Sequence, residues 1–175
     1  IVRWTGTPGS QPIAWFDVER RLDGGPWTRV ATWSTPSSLR AIIPSGHATT
    51  YRVRAMDMLG RTSLWSTSAV MTPKAVGESS SAITYRGSWS RATSSLYVGG
   101  AARASHGVGA SASLAFTGRS VAWITTTGPA RGVARVYVDG ISAGIVDLRA
   151  TATSTRSLSF IRNFTASGRH TIRIV

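Results

Sequence analysis

Apolar and polar residues alternate in short runs along this chain of 175 residues. The clearest runs are Phe16-Asp-Val-Glu-Arg, Tyr51-Arg-Val-Arg-Ala, Val121-Ala-Trp-Ile, Ala134-Arg-Val-Tyr-Val and Thr171-Ile-Arg-Ile. A period of two sends successive side chains to opposite faces of a strand. No stretch keeps apolar residues at i, i+3, i+4 and i+7 for three turns, so the pattern predicts strands and almost no helix. Gly, Pro, Asp-Gly and Ser/Thr clusters punctuate the runs, as turns between strands do. The expected fold class is all-β, with two β-sandwiches in tandem.

Residues 72–81, Thr-Pro-Lys-Ala-Val-Gly-Glu-Ser-Ser-Ser, carry no alternation and have linker composition. The charge balance changes there. Residues 1–73 hold eight basic and four acidic residues, and residues 74–175 hold twelve and three. The expected organisation is a first domain over 1–73, a linker over 74–81 and a second domain over 82–175.

The first domain has Trp4 in an opening strand, then Ile43-Pro44 followed by Tyr51, a Tyr-x-Val-x-Ala strand, and Gly60 followed by Ser63 and Trp65-Ser66. In order and spacing this resembles a fibronectin type III domain. The resemblance implies a seven-stranded sandwich in which the Tyr51 hydroxyl bonds back to upstream backbone. It also implies a strand before the one holding Trp4, which nothing here supplies. Ile1-Val2-Arg3-Trp4 itself reads like the middle of a strand. By the same resemblance Arg52 and Arg54 face Asp17 and Glu19 across a ladder, with Trp65 over a guanidinium. That arrangement is similar to the arginine–tryptophan stack of cytokine receptors, of which only a single Trp65-Ser66 is present.

The second domain opens with Gly87-Ser-Trp-Ser. It continues through a Val136-Tyr-Val-Asp-Gly hairpin and closes on Ser167-Gly-x-His-Thr-x-x-Ile. This resembles a galactose-binding-like jelly roll of the kind used by carbohydrate-binding modules of bacterial secreted proteins. Asp139-Gly140 suits a two-residue hairpin turn of positive φ, and Gly168 suits a bend before the last strand.

Twenty basic against seven acidic residues give a net charge of +13. Such a balance suggests a polyanionic partner, but the basic residues sit singly among Ser, Thr, Ala and Val. The plainer expectation is arginine on solvated strand faces, with no specific nucleic-acid partner. Attachment to an acidic cell surface is a further alternative.

The chain has no cysteine, which excludes disulfides, thiolate metal sites and thiol nucleophiles. No apolar run approaches the roughly 18 residues of a membrane helix, so no membrane insertion is expected. His47, His106 and His170 have no metal-ligand spacing, and no Gly-x-Ser-x-Gly elbow or phosphate loop occurs. Seven acids are few for a paired-carboxylate glycosidase. No catalytic residue, metal or cofactor is expected. Asn163-Phe-Thr matches a glycosylation acceptor, a pattern common by chance.

Aromatic rings bind sugars by stacking. Trp89, Tyr97 and Tyr137 are therefore candidate ligand contacts, together with the loop cation Arg131. Each has an ordinary alternative. Trp89 and Tyr97 lie near loops and can equally pack. Tyr137 shares a face with Arg135 and Asp139 and is expected to be half exposed, and Arg131 can simply be solvated. Trp123 shares its face with Val121 and belongs to the core. The expected role is a non-catalytic accessory region of a larger secreted or surface protein, spacer plus carbohydrate binding. The expected partners are a polysaccharide or cell-surface glycan and the other domains of the parent chain. The alternative is a structural or adhesive module without a soluble ligand.

Overall fold

The computed structural model describes residues 2–39, 41 and 43–175. The chain is all-β, as its alternation predicts. Among the described residues the only helical element is a 3-10 turn at Val98–Gly100. Two compact units form, Ile1–Ala75 and Val76–Val175.

In the first unit β1 (Val2–Arg3) pairs antiparallel with β4 (Ser38–Leu39). A second sheet has the order β3-β2-β5-β6, from β2 (Ile13–Leu22), β3 (Thr28–Ser34), β5 (Thr49–Asp57) and β6 (Ser66–Thr67). The core is Trp4, Phe16, Val18 and Tyr51, all buried. Trp4 packs edge-on against Phe16 at 5.9 Å. Trp4 and Phe16 also line an open groove with Pro8, Pro12 and Ile13.

Two expectations shift here. Trp4 follows β1 rather than lying in it, held by its backbone N–H on the Ser37 carbonyl (3.0 Å). The short strand before Ile43-Pro44 is Ser38–Leu39, and Arg40 and Ile42 lie outside the described residues. The Tyr51 hydroxyl is buried without a partner among the described residues. Tyr51 is fixed instead through its backbone, whose N–H donates to Ser68 Oγ (3.1 Å) and whose carbonyl accepts the Ser68 N–H (2.8 Å).

The outer face of the four-stranded sheet holds an arginine–tryptophan stack. Register puts Arg52 opposite Glu19 and Arg54 opposite Asp17. Arg52 Nε donates to Glu19 (2.8 Å), and both Nε and Nη2 of Arg54 donate to Asp17. The rings interleave with these pairs. The Arg52 guanidinium lies 4.3 Å from both the Trp27 and Trp65 rings, Arg54 lies 4.7 Å from Trp65, and Arg21 lies 4.8 Å from Trp27. The stack is therefore longer than the sequence resemblance implied, because Trp27 enters it from the start of β3. Burial alone would raise the Asp17 pKa, but hydrogen bonds from Arg54 and Thr32 outweigh it and hold the carboxyl below its ordinary value.

The second unit has a five-stranded antiparallel sheet of order β12-β11-β13-β10-β7. Its strands are β7 (Ile83–Arg86), β10 (Ser111–Thr127), β11 (Val133–Val138), β12 (Ile141–Asp147) and β13 (Ser154–Ile174). A separate ribbon pairs β8 (Ser90–Thr93) with β9 (Ala101–Ala104). A straight strand as long as β10 would span roughly 55 Å. Yet its start pairs with Ile174, the neighbour of Val136, while Gly128 beyond its end bonds to Leu148 beside β12. The β10–β13 ladder therefore folds over. The register breaks between Gly118 and Ser120, opposite Gly168 and Asn163. Gly168 itself stays in the ladder, so the bend lies in the unpaired residues 164–167 before it rather than at Gly168.

The segment expected as linker is tied at both ends. The Gly46 N–H bonds to the Pro73 carbonyl and the Ala75 N–H to Ser45 Oγ in the first unit. Glu78 pairs with Arg91 and accepts the Tyr85 hydroxyl on its carbonyl in the second.

Replacing Trp65 by Ala removes two guanidinium–ring contacts of about 0.5–1 kcal/mol each. A loss of about 1–2 kcal/mol is expected by urea unfolding, and an unchanged midpoint would contradict the stack. The depressed Asp17 pKa gives an acid limb. Its stabilisation is present above the unfolded value of about 3.9 and is lost as pH falls through the lower folded value. Asp17→Asn is expected to flatten the decline of melting temperature between about pH 4 and pH 2.

Candidate functional site

Alternation sorts β11 and the end of β13 into two faces. In β11 Val136 and Val138 are buried, while Arg135 is exposed and Tyr137 half-buried on the other side. In β13 Ile172 is buried, and Arg169, Thr171 and Arg173 are exposed. The registers put Thr84, Ser113, Arg173, Tyr137 and Ser142 in one row across the strands. Arg169 stands opposite the exposed Thr117 on this same outward face, and Arg86 stands opposite Ser111, which is buried.

Tyr137 lies directly opposite Arg173, whose guanidinium sits 5.9 Å from the ring centroid. Arg86, Arg135 and Arg169 make no ion pair and no side-chain hydrogen bond among the described residues. Two acids border this face among the described residues: Asp147 at the β12 edge, opposite Val133, and Asp139 just past Tyr137, bonded to His170 and to the Thr171 N–H. Arg149 holds Asp147 through bonds of 2.8–3.2 Å, which depress its pKa to about 2.

The other candidates are placed apart from Tyr137. Trp89 packs edge-on against Tyr85 at 5.1 Å, and its indole N–H donates to the Arg86 carbonyl. Arg103 covers the Tyr85 ring at 4.5 Å, and burial raises the Tyr85 pKa. Trp89 is half-buried in these contacts. Tyr97 precedes the 3-10 turn, whose approach is clasped by Arg156. That guanidinium donates to the carbonyls of Ser95, Leu96 and Tyr97. Arg131 closes a turn through its backbone N–H on the Gly128 carbonyl (3.1 Å), two residues before β11. Tyr137 stands near the far end of that strand, so Arg131 and Tyr137 are separated by roughly its length, about 20 Å.

Two His–Asp pairs were not expected from the sequence. His170 Nδ1 donates to Asp139 Oδ2 (2.8 Å), and Asp139 Oδ1 accepts the Thr171 N–H. His47 Nδ1 donates to Asp23 Oδ2 (2.6 Å), and Asp23 Oδ1 accepts the Ala48 N–H. Each Asp opens an Asp-Gly turn of positive φ and donates its own N–H to the same neighbour's carbonyl. The identical geometry in both units marks a turn clamp, one carboxylate fixing two strands. Each Asp pKa is lowered, first by the histidine bond. His170 stacks on Phe164 at 3.6 Å, and its Nε2 is buried beside Gly168 without a hydrogen-bond partner among the described residues.

No family model matches the chain. Over 100 residues it is 33% identical to an A type blood N-acetyl-alpha-D-galactosamine deacetylase of Flavonifractor plautii, a stretch that is 57% of this chain and 13% of that enzyme. Among solved structures, the alfa-L-rhamnosidase of Aspergillus terreus aligns with 98% of this chain and 20% of its own at 14% identity, with a TM-score of 0.35. At that score the likeness bears no argument.

The clasp on the turn before Val98 is open to test. Arg156→Ala is expected to speed amide exchange at Tyr97, whose N–H closes the turn on Ser94. The cost in stability should be about 1 kcal/mol, the net value of an ordinary hydrogen bond. Unchanged exchange at Tyr97 would contradict the clasp.

Proposed function

We propose that this chain is a non-catalytic accessory region of a larger secreted or surface-exposed bacterial protein. The first unit acts as a fibronectin type III-like spacer, and the second, jelly-roll-like unit binds carbohydrate. The observation that carries the reading is the outward sheet face at Tyr137. An aromatic ring stands there on rigid strands, ringed by arginines that the protein does not neutralise. Such a face supplies stacking and hydrogen-bond donors together. The deacetylase named above acts on a glycan by its name, and the aligned stretch is as small a share of it as an accessory segment would be.

The spacer reading is supported by the two sheets of the first unit, of two and four strands, and by its arginine–tryptophan stack. The non-catalytic reading is supported by the use of the acids. All seven carboxylates are already bonded to an arginine or a histidine. The adhesive alternative rests on a different surface. Ile124, Leu158 and Ile161 are 43%, 47% and 55% exposed on one face of the folded-over β10–β13 ribbon.

Tyr137→Ala is expected to weaken glycan binding by about 1–3 kcal/mol, measured by affinity electrophoresis, with little change in melting temperature. Trp89→Ala is expected to do the reverse. Retained binding in Tyr137→Ala would move the site elsewhere. Sedimentation that shifts with concentration and is abolished by Ile124→Ser would favour adhesion.

A further inference from the structure

The ligand class of the Tyr137 face can be read from its charge, on the premise that this face is the carbohydrate site. Arg135, Arg169 and Arg173 all point outward from one sheet. Tyr137 and Arg173 face each other directly. Arg135 stands opposite Val175, which puts it on the diagonal from Arg173, roughly 7–8 Å away. Arg169 lies four residues from Arg173 along the same strand, about 13 Å away.

Among the described residues no carboxylate is ion-paired with these cations, and Asp139 beside them at the end of β11 is held by His170 and the Thr171 N–H. The acid at the edge, Asp147, is held by Arg149, and the other acids are spent elsewhere. Like charges held without counterions raise a positive potential over the face, and an anion that approaches is attracted before any contact forms. A guanidinium also offers a planar fork that fits carboxylate and sulfate oxygens. A neutral glycan would leave this potential unused.

We infer that the outward face of the five-stranded sheet binds an acidic polysaccharide, its anionic groups on Arg135, Arg169 and Arg173 and a sugar ring against Tyr137. The spacing argues for a glycan over a nucleic acid. Duplex DNA carries a charge every 1.7 Å or so along its axis, and single strands are held by several stacking platforms. This face has cations roughly 7–13 Å apart and one half-buried ring. That suits a polymer with one charge per sugar or per few sugars.

The test uses the whole 175-residue chain and four probes: polygalacturonate, its fully methyl-esterified form, dextran sulfate and a thymidine oligonucleotide. Binding is read by calorimetry at 50 and 200 mM salt. The expected result is binding of polygalacturonate or dextran sulfate, whichever anion the face takes. It should weaken at least fivefold at the higher salt and at least tenfold in the Arg135→Gln/Arg169→Gln variant. Both arginines are exposed, so that variant should keep its melting temperature. Esterified polygalacturonate should bind at least tenfold more weakly than the acid form.

Equal binding of the esterified and acid forms, unaffected by the arginine changes, would overturn the acidic-ligand inference and leave the carbohydrate reading standing. Failure of all three polysaccharides to bind would overturn both. Oligonucleotide binding as tight as that of either acidic polymer, with the same arginine dependence, would overturn the assignment to a glycan.

Discussion

A shortage of carboxylates organises this protein. Twenty basic residues share seven acids, and all seven acids are engaged by an arginine or a histidine. The remaining guanidinium groups must use aromatic rings, backbone carbonyls, water or something outside the protein. The structure shows each of the first two in turn. Trp27 and Trp65 sandwich Arg52, and Arg156 and Arg119 bind backbone carbonyls. Of those left over among the described residues, Arg86, Arg135 and Arg169 share one sheet of the second unit, while Arg3, Arg29 and Arg131 lie elsewhere and Arg162 lies across the β10–β13 register break.

The two units handle this constraint differently. In the first, Arg21, Arg52 and Arg54 are taken into a stack in which each meets a ring or a carboxylate. In the second, the rings of Phe116, Phe164 and His170 pack against one another, so they are not offered to the outward arginines. Tyr137 does reach that face, opposite Arg173. Both units still share the Asp-Gly clamp, in which a single carboxylate with a histidine closes a hairpin onto a neighbouring strand. Using two of the scarce acids in that way deepens the shortage elsewhere.

Much of the fold was legible because alternation acts on every residue of a strand. Phe16 and Val18 inward, Arg52 and Arg54 outward, and Tyr137 on the side of Arg135 all follow from a period of two. The positive φ at Asp139 and Gly140 follows from turn chemistry. What was not legible depends on pairing at a distance. Trp27 joins the arginine stack only because β2 and β3 form a hairpin beside β5. His47 and His170 read as isolated histidines, since their aspartates lie 24 and 31 residues away. Trp89 looked as available as Tyr137, and only the contact with Tyr85 separates them. The arginines seemed scattered for the same reason. Arg86, Arg135 and Arg173 are far apart in the chain, and register alone brings them to one sheet.

The central claim is that the arginines of this face are left for a ligand rather than merely hydrated. Arginine Nε–H resonances report it directly, since a guanidinium that gains an anion shifts and slows its exchange with water. In a titration with oligogalacturonate, the account expects the Nε–H signals of Arg135, Arg169 and Arg173 to shift together, with those of Arg52 and Arg54 unmoved. Shifts spread evenly over exposed arginines, or confined to residues around Trp89, would contradict it.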